Sequence, residues 1–189
     1  QMSEVTADIL YPHPVSGVVA GVGNQGRTLP GFSRFRGGHP YPNDDSLQAG
    51  NAVVELLQRV TGEDLVIYLL SGGGSAICEK PITPEISLED CRDFCRLLVT
   101  CGANIADVNF VRKHFSAIKG GRLTERAWPA RQVTVYVSDA PPRNASNVAS
   151  GPTMPDESTV GDCYSIVQRL ILLIGSLCFG PLTSFLRLP

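Results

Sequence analysis

Asp64-Leu65-Val66-Ile67-Tyr68-Leu69-Leu70 runs directly into Ser71-Gly72-Gly73-Gly74-Ser75, and this junction decides the fold. The apolar run has the length of a strand. Because it does not alternate with polar residues, it fits a central parallel strand covered on both faces. Three glycines between two serines end it abruptly, as a tight turn beyond the strand's carboxyl end would.

Working outward, residues 15–22 are small and β-branched and predict a buried strand. Gly23-Asn24-Gln25-Gly26 predicts a turn, and Phe32 to Arg36 a short strand stopped by Gly37-Gly38. Asp44, Asp45 and Ser46 offer helix N-caps. Leu47, Val53, Val54, Leu57 and Val60 follow at helical spacing, with Gly62 as the C-cap. Ser87-Leu88-Glu89-Asp90 is a capping-box pattern that opens a helix with the stripe Leu88, Cys91, Phe94, Cys95 and Leu98, closed by Gly102. Ile105, Val108, Val111, Phe115 and Ile118 predict one further amphipathic helix reaching Gly120-Gly121. Val133, Val135 and Val137 alternate with Thr134 and Tyr136, a strand ending at Ser138-Asp139. Strands alternating with helices predict an α/β layered domain with a largely parallel sheet.

The chain has 189 residues, 43% hydrophobic and 18% charged, enough for one domain with a proper core. Sixteen Lys and Arg against 18 Asp and Glu give a net charge of −2, which excludes a strongly basic nucleic-acid binder as the whole-chain function. The six cysteines form no CxxC and no Cys/His zinc spacing; Cys91 and Cys95 read as small apolar core residues on a helix face, and the compartment as reducing. No charged segment leading into an apolar run marks a signal peptide at the start. Residues 170–186 carry no charge, but Gly175, Gly180, Pro181, Thr183 and Ser184 interrupt them. They read as a buried or divergent tail rather than a membrane span, which needs about 20 predominantly apolar residues.

In open α/β sheets ligands bind beyond the carboxyl ends of strands, and polar clusters lie at two such ends. Ser71, Gly72, Gly73, Gly74 and Ser75 read either as an anion cradle of backbone N–H groups and hydroxyls or as a plain strand-to-helix turn. The cluster is neither a Walker A loop nor a GxGxxG fingerprint. Asp139 reads either as a magnesium ligand or proton acceptor, or as the start of a turn before Pro141-Pro142. Between them, Arg112, Ser116 and Lys119 fall on one face of the expected helix, while Lys113 and His114 point elsewhere. These cations are either a solvated basic face or a clamp on a polyphosphate. His39, in Gly38-His39-Pro40-Tyr41-Pro42, either touches substrate or locks a turn. Ser150, Gly151 and Thr153 lie in a second glycine-bearing loop suited to an anion or to a turn. Asn144-Ala145-Ser146 fits the N-glycosylation pattern, which carries no weight without a secretory signal.

Taken together and in order, Gly38-His39-Pro40-Tyr41-Pro42, Ser71-Gly72-Gly73-Gly74-Ser75-Ala76, Val111-Arg112-Lys113-His114 with Lys119-Gly120-Gly121-Arg122-Leu123, and Ser138-Asp139 with Ala149-Ser150-Gly151-Pro152-Thr153 resemble the type II glycerate kinase family. These are ATP-dependent glycerate 2-kinases, also labelled hydroxypyruvate reductases. The likeness runs from about Val15 to Gln168. It implies phosphoryl transfer from ATP to the 2-hydroxyl of D-glycerate with Mg²⁺, in a cleft between two α/β domains. This chain resembles part of the larger, Rossmann-like one: residues 1–169, followed by a divergent apolar tail at 170–189.

On that resemblance the 71–75 loop, Lys119, Ser150, Gly151 and Thr153 hold nucleotide. His39, Asn109 and Arg112 meet the substrate, Arg112 and Lys113 act in catalysis, and Asp139 serves metal or base. The implied partners are glycerate and a nucleotide, with no nucleic acid or membrane, and the implied location is cytoplasmic. The chain departs from the family pattern at Asn43, where the family has Asp. It departs again at Ala140-Pro141-Pro142-Arg143-Asn144, where Val-Pro-Gly-Asp-Asp is usual; Arg143 reverses the local charge. The family's opening Gly-Lys-Ala segment and C-terminal domain have no counterpart, which implies a truncated or inactive fragment. The rivals are an NAD(P)-dependent hydroxypyruvate reductase, which needs a dinucleotide fingerprint that is not apparent, and a non-catalytic nucleotide or sugar-phosphate binding module.

Overall fold

A computed structural model describes residues 2–23, 26–100, 104–137 and 148–175. The elements in chain order are α1 (Met2–Leu10), β1 (Gly17–Gly21), β2 (Phe32–Arg36), α2 (Asp44–Leu57), β3 (Leu65–Leu70), α3 (Gly74–Ile77), α4 (Leu88–Thr100), α5 (Ile105–His114), α6 (Arg122–Arg126), β4 (Arg131–Tyr136) and α7 (Val160–Gly175).

Both strand pairs are parallel, so the expected α/β fold with a parallel sheet is what forms. β1 pairs with β2 from Gly17↔Phe32 to Gly21↔Arg36, and β3 with β4 from Leu65↔Arg131 to Leu70↔Tyr136. Side chains alternate across β3. Val66, Tyr68 and Leu70 pack on a core of Val54 and Leu57 from α2 with Ile118, Leu123 and Ala127. The opposite face differs from expectation. Leu65 is 52% exposed, and on β4 Val133 and Val135, which lie opposite the half-buried Ile67 and Leu69, are 47% exposed each, so the described residues cover this face only in part. A second core of Leu98, Val108, Val111, Cys163 and Leu170 joins α4, α5 and α7.

Three boundaries correct the sequence reading. Asn43 caps α2, not the residues after it: its Oδ1 accepts from Ser46 N at 2.9 Å while Ser46 Oγ accepts from Asn43 N at 3.1 Å. A reciprocal capping box of this kind forms on the last residue before the helix. α2 also ends at Leu57, with Gln58 as the C-cap, before Gly62 is reached. The helix expected over 105–118 stops at His114. Ser116 pairs with Pro81 in an antiparallel bridge instead, and Ala117 N donates to Lys80 O at 2.7 Å. Arg112, Ser116 and Lys119 therefore share no helical face. The capping box at Ser87 is present: Asp90 N donates to Ser87 Oγ at 3.1 Å and Ser87 N to Asp90 Oδ2 at 2.9 Å.

α1 was not expected; it has no buried residue and is tied down through Asp8 to Arg27 at 2.6 Å. α7 runs through residues 169 and 170 without a break. The turn at Asn24-Gln25, Gly102, Ser138, Asp139, the Asn144–Ser146 pattern and residues 176–189 lie outside the described residues. Among the described residues no helix is long and apolar enough to cross a membrane.

Candidate functional site

The strand-to-helix junction after β3 is open to solvent at Ser71 and Gly72. Gly73 then takes φ +79, a left-handed conformation that side chains other than glycine's disfavour, and caps α3. The His39 ring stands over it: a Cβ added at Gly73 would lie 3.0 Å from the ring. One added at Gly74 would lie 2.9 Å from Ala149 Cβ. Nothing stands within 4 Å of the same position on Gly72.

A second turn meets this one. Ala149, Ser150 and Gly151 are all left-handed, at φ 50, 60 and 60. Two of them are not glycine, and strain of that kind persists only where the surroundings over-determine it. The surroundings are visible. Ser75 Oγ and Ser150 Oγ lie 2.7 Å apart, and Ser150 Oγ donates to Asn109 Oδ1 at 3.3 Å. Gly120 N and Gly121 N donate to Ser150 O and Gly151 O at 3.2 and 2.8 Å. His39, the 71–75 loop, Asn109 and Ser150, far apart in sequence, thus meet at one place. Thr153 accepts from Thr134 Oγ1 of β4 at 2.9 Å.

The cations take other positions. Lys119 is 1% exposed, and its ammonium donates to Glu79 Oε2. Lys113 is buried with Nζ 3.3 Å from Asp156 Oδ1. Arg112 lines a cleft between α4 and α5 with Glu79, Cys91, Phe94, Cys95 and Phe115, a lining that includes none of residues 71–75. Its Nε is buried without a hydrogen-bond partner. Lys113 and Lys119, read as part of either a solvated basic face or a polyphosphate clamp, are each engaged in a buried ion pair. Sequence reasoning missed both acids, Glu79 and Asp156, because ion pairs across 40 and 43 residues have no local signature.

Burial pushes the Cys78 and Cys91 thiols up to about 12 and Cys163 to about 11. A thiol kept protonated in this way is a poor nucleophile. For Asp156, burial pushes the carboxyl up. The Ser158 hydroxyl at 2.7 Å and the Lys113 ammonium outweigh it, and the net shift is downward from 3.8. A carboxyl depressed in the folded state adds stability above its unfolded value and loses it as pH falls through the folded value. Urea unfolding at about pH 6 and about pH 3 is expected to show a smaller loss of stability for Asp156→Asn than for the unmodified chain. Equal losses would remove Asp156 from the acid response.

A family profile described as Domain of unknown function (DUF4147) matches residues 1–174. The D-glycerate 2-kinase of Thermotoga maritima is 36% identical over 152 residues, 80% of this chain and 36% of that protein. An Agrobacterium vitis protein bearing the name hydroxypyruvate reductase is 42% identical over 131 residues, 69% of this chain and 30% of that one. A crystal structure of glycerate kinase from Thermotoga maritima superposes with a TM-score of 0.81 at 32% identity, over 95% of this chain and 42% of the other. The chain spans about a third of the length of the curated relatives it matches. With the match running through nearly every described element, and the same arrangement seen in a solved relative, the chain belongs to the DUF4147 family.

Proposed function

We propose that this chain supplies the nucleotide-phosphate side of an ATP-dependent glycerate 2-kinase, which transfers a phosphoryl group to the 2-hydroxyl of D-glycerate. The observation that carries the reading is the 2.7 Å approach of Ser75 to Ser150 beside Gly73 and His39. It joins the separate motifs of the family resemblance, and the names of the relatives agree with it.

Phosphoryl transfer asks a protein mainly to position groups and to stabilise charge. Here the backbone N–H groups of residues 72–75 are suited to anionic oxygens, while Ser150, fully buried with its hydroxyl bonded to Ser75 and Asn109, ties the two turns together. Gly72 leaves the loop open to a phosphate. His39 and Asn109 border the same place, and the substrate-facing role belongs to them. Arg112, in its own cleft, is assigned to substrate and catalysis by family resemblance alone, as is Lys113. Bound Mg²⁺ would neutralise phosphate charge. Among the described residues no three His, Cys, Asp or Glu side chains are grouped together. Asp139 keeps its assignment as metal ligand or base from the sequence.

Incubation with ATP–Mg²⁺ and D-glycerate, followed by phosphorus NMR, tests the proposal. 2-Phosphoglycerate supports it; 3-phosphoglycerate refutes the 2-hydroxyl assignment, and no product refutes the activity for this chain. The name of the Agrobacterium relative favours one rival, a reductase, which NADH oxidation with hydroxypyruvate would reveal. Gly73→Val places a β-branched residue at φ +79 and its Cβ against His39. ATP affinity is expected to fall by about tenfold or more while the fold survives. A folded variant with unchanged affinity by calorimetry would contradict the cradle.

A further inference from the structure

Glu79 sits two residues beyond the end of α3, the short helix that contains Ser75. Its carboxylate is crowded with donors: Ser116 Oγ at 2.6 Å, its neighbour's Lys80 N at 2.9 Å and the Lys119 ammonium. Its own N–H donates to Ser46 O of α2 at 3.1 Å. Ser116 and Lys119 are each 1% exposed. A lysine so enclosed, with its charge spent on a carboxylate, presents no free face to a phosphate. The residues after it, Gly120 and Gly121, are the ones that donate to the carbonyls of Ser150 and Gly151.

The contacts close a ring, from Ser75 through Ser150, Gly120 and Lys119 to Glu79 and back through α3 to Ser75. We infer that Glu79 and Lys119 are positioning residues, which hold the left-handed turn at Ser150 against Ser75 and touch no ligand themselves. The inference rests on the nucleotide-phosphate reading of that turn. It gives Lys119 a role other than the nucleotide contact expected from the sequence.

The test uses two variants of the full chain. Lys119→Met leaves Glu79 buried and unpaired. Glu79→Gln/Lys119→Met removes both charges and keeps an oxygen for Ser116 and Lys80 N. Two quantities are read: ATP–Mg²⁺ affinity by calorimetry, and amide hydrogen exchange at Gly120 and Gly121 without nucleotide. The single variant is expected to bind ATP about tenfold more weakly and to exchange faster at both glycines. The double variant should return both quantities to within about threefold of the unmodified chain.

Weaker ATP binding in the single variant, with exchange unchanged and no recovery in the double, would overturn the inference and make Lys119 a ligand. So would a single variant with neither quantity changed. Should Lys119→Met fail to fold, the double variant decides. Folded with near-normal affinity it supports the inference; folded without affinity it overturns it. If the unmodified chain binds no ATP, the nucleotide reading fails, and exchange alone judges the positioning role by the same criteria.

Discussion

Lys119→Met is expected to lower the unfolding free energy by about 3–5 kcal/mol in urea denaturation, because it strands the Glu79 carboxylate in the interior. Side-chain exposure is 2% for Lys119 and 15% for Glu79, so water has little access to take the lysine's place. Methionine matches the lysine stem in length, and the loss comes from the missing charge rather than a cavity. The double variant Glu79→Gln/Lys119→Met is expected to recover most of the loss, since a buried pair as a whole adds little beyond a neutral replacement. The Arg96–Asp93 pair provides the contrast. Its nitrogen–oxygen distance is 2.8 Å, but its side chains are 52% and 53% exposed. Arg96→Met should cost less than about 1 kcal/mol. Equal costs at the two sites would mean that burial does not govern these pairs.

Gly50→Ala is expected to destabilise the chain by about 3 kcal/mol or more, against the sign that helix propensity alone predicts. Glycine in a helix interior is about 1 kcal/mol worse than alanine, and Gly50 lies inside α2. An alanine Cβ there would lie 2.1 Å from the carbonyl oxygen of Glu79 and 2.6 Å from its carbonyl carbon. Those atoms are backbone, held by Glu79 N to Ser46 O at 3.1 Å and by the pairing of Lys80 O with Ala117 N at 2.7 Å. They cannot turn aside as a side chain end would. Either α2 or the stretch after α3 must move, and the second carries the Glu79 network. A rise in the urea midpoint for this variant would show that α2 does not approach the Glu79 backbone this closely.

These two positions mark where the sequence was legible and where it was not. The run at 64–70, the triglycine bend and the Ser87 capping box are local patterns, and each formed where it was expected. The α5 boundary was misread because Phe115 and Ile118 continue a helical period while their backbone joins other structure. Ile82 N donates to Phe115 O at 3.1 Å, and Ile118 enters the core beneath β3. Tertiary pairing overrode periodicity there. The reason for a glycine at position 50 is a neighbour 29 residues away, which no local pattern carries. For the site, the motifs were visible as separate strings. What no string could show is that Ser75 and Ser150 touch, or that the lysines beside them are already engaged by Glu79 and Asp156.

Amide hydrogen exchange with and without ATP–Mg²⁺ tests most directly whether these two turns form one phosphate site. Added nucleotide should slow exchange together at residues 72–75 and at Ser150 and Gly151. Protection confined to other parts of the chain, with these amides unchanged under saturating nucleotide, would contradict the account.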